Sequence, residues 1–105
     1  MIKISDNENG IIILKNDVFT SIATISVQEE SGIQLDKSTF KKSVNCKIEN
    51  EKIHISIDLK IRYGQNVQKT CKNVQNRVVK AILDMTNVKC DVVDVNVIGF
   101  NFNAQ

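Results

Sequence analysis

The sequence predicts an α+β fold: a two-layer sandwich in the order β-α-β-β-α-β, with two helices on one face of a small mixed or antiparallel sheet. Three patterns predict it. Residues 52–63 alternate polar and apolar over twelve positions, residues 67–85 carry an apolar stripe at helical spacing, and Val93, Val95 and Val97 resume the alternation. Each element offers one apolar face, and two layers cover every such face. A ferredoxin-like connection is one order that would fit.

The 105-residue chain has room for one domain, read as residues 10–102 after a short N-terminal segment, residues 1–9. Ile, Val, Leu and Phe make up 35 residues, enough apolar surface for a packed core. No apolar run approaches the roughly 18 residues of a membrane span, and the N-terminus carries Asp6 and Glu8 where a leader would be basic. The chain is expected to be neither secreted by a signal peptide nor inserted directly in a membrane.

Gly10 opens the first strand, Ile11-Ile12-Ile13-Leu14, short and β-branched. Asn16 or Asp17 can cap the helix that follows, expected over about 17–30, because a short side-chain oxygen accepts from the free N–H groups of the first turn. Val18, Ile22 and Ile25 recur at helical spacing, and Gly32 stands where a left-handed cap would be needed. Residues 33–43 are the least patterned and read as a mobile loop.

Val44, Cys46 and Ile48 begin a hairpin, Glu49-Asn50-Glu51 forms its turn, and Ile53 to Tyr63 make the long return strand. Val67, Cys71, Val74, Val78, Ile82 and Met85 form the stripe of the second helix, with Asn87 suited to a left-handed cap. Lys89 to Phe102 close the chain as a strand with a bulge or bend at Gly99.

Little in the composition suggests catalysis. The one histidine, His54, lies on the polar face of the long strand near Asp58 and cross-strand from Lys47, with no nucleophile or pocket placed beside it. Cys46, Cys71 and Cys90 form no metal-ligand spacing and read as small buried hydrophobes in a reducing compartment. No glycine-rich phosphate loop occurs. No catalytic residue, metal or cofactor is expected.

Charge is uneven: residues 1–30 carry −3, residues 31–89 carry +7 and residues 90–105 carry −2. On the second helix Lys69, Lys72, Arg77 and Lys80 form a candidate basic contact face. The exposed side of the long strand offers no aromatic for base stacking, which argues against nucleic acid. Val79 and Leu83 widen the apolar surface of that helix, and Phe100 and Phe102 lie near the C-terminus, so these four are the candidate protein interface.

Gly10-Ile11-Ile12-Ile13, Val18, Ile22-Ala23, Gly32-Ile33 and the run Ile55-Ser56-Ile57-Asp58-Leu59-Lys60-Ile61-Arg62-Tyr63-Gly64 resemble the alkaline shock protein family of envelope stress response proteins. Val67, Val74-Gln75, Val78, Ala81, Met85-Thr86 and Val93-Asp94-Val95-Asn96-Val97 extend the resemblance, which covers roughly residues 10 to 100. The chain departs from the family pattern at Ser26, at Gly32-Ile33 and at Thr86-Asn87, changes that leave its subgroup open.

The resemblance implies a non-enzymatic, cytoplasmic protein of Gram-positive bacteria concerned with the cell envelope. It implies self-association into a homo-oligomer and docking to a protein partner, an integral membrane protein, that holds the chain peripherally at the membrane. The alternative expectation is a cytosolic regulatory domain that binds a soluble enzyme or nucleic acid.

Overall fold

The computed structural model describes residues 1–6, 10–30, 32–35 and 43–102. Its elements are β1 (Ile2–Asp6), β2 (Gly10–Leu14), α1 (Asn16–Gln28), β3 (Ile33–Leu35), β4 (Val44–Glu49), β5 (Lys52–Arg62), α2 (Val67–Thr86) and β6 (Val92–Asn101).

The α+β sandwich is present, and β5 is its centre. One edge of β5 pairs in parallel with β6; the other pairs antiparallel with β4 over residues 52–57 and then with β3 over residues 59–61. The sheet is therefore mixed and three strands wide. Ile53, Ile55, Ile57, Leu59 and Ile61 all point to one face and are fully buried, as the alternation predicts. Phe19, Ala23 and Val27 of α1 and Val74, Val78 and Ile82 of α2 cover that face. Of the two helices, α1 lies over β4 and β3, and α2 lies over β6.

Two expectations are corrected. The strand at 10–14 does not enter the main sheet; it pairs with residues 2–6 in a separate two-stranded ribbon, Ile2 opposite Leu14 and Asp6 opposite Gly10. A ferredoxin-like order, which needs that strand inside the sheet, is therefore not formed. The edge position goes to β3, which lies in the stretch read as a loop: Leu35 is buried and Ile33 half-buried in register with Leu59 and Ile61. Residues 36–42 of that stretch lie outside the described residues.

Local details follow the backbone chemistry. The first helix starts one residue early, with Lys15 at the cap position and no side-chain cap. Asn16 is turned away from that role: its Nδ2 donates to the Cys46 carbonyl on β4 at 3.0 Å. The helix ends at Glu29 in a right-handed conformation, so the left-handed Gly32 (φ +81°) serves the entry to β3 instead. At α2, the Asn66 side chain accepts from the Lys69 N–H, and Asn87 closes the helix at φ 60° as expected. The β4–β5 hairpin turns on Asn50 (φ 52°) and Glu51 (φ 64°), the two left-handed positions of a type I′ turn. In β6 an extra residue is accommodated between Val97, opposite Leu59, and Gly99, opposite Lys60, which makes Ile98 the bulged position.

Candidate functional site

The long strand's wet face carries His54, Ser56 and Asp58 in register with Val92, Asp94 and Asn96 of β6. His54 does stand cross-strand from Lys47, but its carboxylate partner is Asp94, with Nε2 and Oδ2 2.5 Å apart, and not Asp58. Asp58 is buried and accepts from Asn96 Nδ2 at 3.0 Å. Beside His54 a shallow cleft of about 290 Å³ is lined by Lys47, Lys52 and Asp91 among others. Asp91 is already engaged there, accepting the Ile53 N–H at 2.7 Å. Among the described residues no group of three or more His, Cys, Asp or Glu side chains is placed to hold a metal.

The thiols are set by burial. Cys90 is buried, and desolvation pushes its pKa from 9.0 up to about 11, only partly opposed by a backbone hydrogen bond at Val92. Cys46 and Cys71, half-buried, are also shifted upward by desolvation. None is held as the thiolate that nucleophilic chemistry needs.

The four cations of α2 do not form one free face. Arg77 Nε donates to Glu30 at 3.0 Å and its guanidinium lies 3.7 Å from Glu29, tying α2 to the end of α1. Lys80 pairs with Asp84 at 2.7 Å, and that hydrogen bond raises its pKa. These groups line an inter-helix groove of about 610 Å³ in which both signs of charge already answer each other. Lys69 and Lys72 are exposed on the rest of the helix.

The four apolar candidates fall in two places. Phe100 and Phe102 lie at the C-terminal end of β6, where Tyr63 joins them: its ring is 6.4 Å from Phe100, edge-on, and 5.0 Å from Phe102. All three are exposed, at 46–74%. Lys60 and Arg62 stand exposed on β5 opposite Gly99 and Asn101, on the other face of the sheet from this cluster. Tyr63 was legible only as the end of a strand. It continues the inward phase of the isoleucines, but α2 starts at Val67 and leaves the last position of that phase uncovered.

Val79 and Leu83 lie instead near the C-terminal end of α2, towards the start of β6. Val79 is half-buried against the core and Leu83 is 44% exposed. The split follows from the crossover: α2 runs antiparallel to β6, so late helix residues sit over early strand residues. Among the described residues no helix is long and apolar enough to cross a membrane.

Comparison with known proteins adds one match. The sequence model of the alkaline shock protein 23 family, described as having a cell envelope-related function, matches residues 4–102. Neither a curated protein nor a solved structure matches the chain.

Proposed function

The chain belongs to the alkaline shock protein 23 family, whose function is cell envelope-related, and from that premise we propose that it is a non-catalytic adaptor that self-associates and docks to a membrane-bound partner protein. The observation that carries the docking half is the cluster of Tyr63, Phe100 and Phe102. The chain has five aromatic residues, and three of them share one exposed spot. Exposed aromatics of this kind are the usual anchors of protein interfaces, since each buries a large area at small entropic cost. Lys60 and Arg62 project from the opposite face of the sheet, so the cluster itself favours an apolar partner segment.

The non-catalytic half rests on chemistry. His54 is paired with Asp94 on an open face, the thiols are shifted towards their neutral forms, and the charged groups of the inter-helix groove are paired with one another. The same pairing of Arg77 and Lys80 weakens the nucleic-acid alternative, which depends on free cations.

The test is to solubilise membranes of the native host in mild detergent and identify what co-purifies with the chain. A stoichiometric integral membrane protein, lost with Tyr63→Ala/Phe102→Ala while the fold persists, supports the reading. Recovery only in the soluble fraction, with an enzyme or nucleic acid, overturns it in favour of the regulatory alternative.

A further inference from the structure

The β1–β2 ribbon is at odds with its own sequence. Gly10-Ile11-Ile12-Ile13-Leu14 is an unbroken apolar run, the pattern of a strand covered on both faces. Yet Ile11, Ile12 and Ile13 are 57%, 51% and 50% exposed. The ribbon's base reaches the core through Ile2, Ile4 and Leu14, and among the described residues its two strands pair only with each other. A two-stranded ribbon in water is marginal at best. The described residues extend over 53 × 27 × 21 Å, with a radius of gyration of 15.0 Å, where a compact chain of this size has about 13 Å.

The same molecule carries a strand edge with no partner strand among the described residues. There β6 pairs with β5 alone. Gln75 Nε2 donates to the Val93 carbonyl at 3.0 Å, which identifies the outward-pointing groups: in a parallel ladder alternate residues face away, so those of Val95 and Val97 point to the open edge as well. Natural edges are blunted by charge, proline or a bulge. From Val92 to Val97, before the bulge at Ile98, this one has a single charge, Asp94, and no proline. That six-residue stretch matches the five residues of β2 in length.

Above the start of this edge lies an apolar shoulder. Residues four apart on a helix share a flank, so Val79 and Leu83 continue the flank on which Gln75 reaches the outer edge of β6. A strand added beside β6 would have one end beneath them, with one face towards the helix layer.

We infer that the isoleucine ribbon of one copy adds, through β2, to the open edge of β6 of a second copy, the edge whose start lies beneath Val79 and Leu83. The inference deepens the self-association part of the proposed function and rests on it. A second copy is the occupant because both halves of the contact are on this chain, both are nearly free of charge, and they match in length. The two halves also lie on opposite sides of the sheet. The ribbon runs into α1, which is tied to β4 by the Asn16 contact with Cys46, whereas β6 is the far edge. Such a contact is head-to-tail and leaves a free ribbon and a free edge at every step, so copies add on in rows or close into a ring. A five-residue strand with a few side chains falls below the about 1,200 Å² of a stable interface, so association is reversible and concentration-dependent.

The test uses two surface-directed double variants. Ile11→Asp/Ile13→Asp removes the donor ribbon and Leu83→Asp/Ile98→Asp removes the acceptor edge; all four positions are exposed. Sedimentation velocity should show the wild type growing with concentration from its 11.8 kDa monomer to species larger than a dimer, and each variant alone monomeric. An equimolar mixture of the two variants should form dimers and nothing larger, because each supplies the surface the other lacks. That rescue also shows both variants to be folded, and Ile11→Val/Ile13→Val should assemble like the wild type. Variants that assemble like the wild type, a mixture that stays monomeric, or a wild type monomeric at millimolar concentration would overturn the contact. A monomeric wild type that still co-purifies with a membrane protein sinks this contact and spares the docking; assembly without a membrane partner does the reverse.

Discussion

The side chain of Gln75 on α2 donates to the main-chain carbonyl of Val93 on β6 at 3.0 Å, bridging the helix layer and the outer edge of the sheet. The bond marks Val93 as a residue of β6 whose carbonyl turns away from β5. Gln75→Ala should cost about 0.5–1.5 kcal/mol, the net value of one such bond, read as a lower urea midpoint at unchanged slope. An unchanged midpoint would mean that water replaces the amide without loss.

Glu51 holds a left-handed conformation (φ 64°) in the two-residue hairpin turn. For a side chain other than glycine or asparagine that conformation costs about 1–2 kcal/mol. Glu51→Gly should therefore stabilise the chain by about 1 kcal/mol and raise the melting temperature by roughly 4–8 °C for a domain of this size. The gain is net of the extra freedom glycine brings to the unfolded chain. A lower melting temperature would show that the Glu51 side chain contributes more than the turn strain removes.

Alkali should destabilise the fold through its cysteines. Desolvation raises the Cys90 thiol from 9.0 to about 11, so in that window the unfolded chain has lost a proton that the folded chain still holds. Its contribution is complete below about pH 9 and is lost as pH rises through 11. Urea midpoints should fall across this window for the wild type and fall less for Cys90→Ala, from a lower starting value set by the small cavity. Parallel pH profiles would refute the assignment to Cys90.

Tyr63 is the sole tyrosine and there is no tryptophan, so intrinsic fluorescence reports on the aromatic cluster alone. Phe102→Ala removes the ring 5.0 Å away and should increase acrylamide quenching of Tyr63. It should cost no more than about 1.5 kcal/mol, the value of an aromatic pair, since the ring is 74% exposed. Quenching equal to that of the wild type would mean that Phe102 does not shield Tyr63 in solution.

The parts legible in the sequence were those where one residue's burial repeats at a fixed period. The alternation of β5 and the stripe of α2 needed no knowledge of neighbours; a bulge or bend was expected at Gly99, and the extra residue is its neighbour Ile98. The missed parts have weak local signals. Ile33-Gln34-Leu35 is too short to show a period, and becomes a strand because β5 continues past the end of β4 and leaves edge groups for it to satisfy. Asn16 looked like a cap and instead bonds to Cys46, thirty positions away.

Of the candidate interface, Phe100 and Phe102 were visible as apolar residues near the end of the last strand, but Tyr63 joined them only through the parallel pairing of β5 with β6. The cations of α2 were visible as a row; that Arg77 is committed to Glu29 and Glu30 depends on where α1 comes to lie.

By itself, then, the sequence determined the two helices, the hairpin of β4 and β5, the last strand and the family, because periodicity and local backbone preference are properties of contiguous residues. Only the tertiary structure decided that β2 leaves the sheet for a ribbon with Ile2–Asp6, that β6 has no second partner strand among the described residues, and that Tyr63 meets Phe102. Strand pairing is made between backbones distant in the chain, and every apolar strand carries the same donors and acceptors, so partner choice is settled by which faces the helices cover and which edges remain.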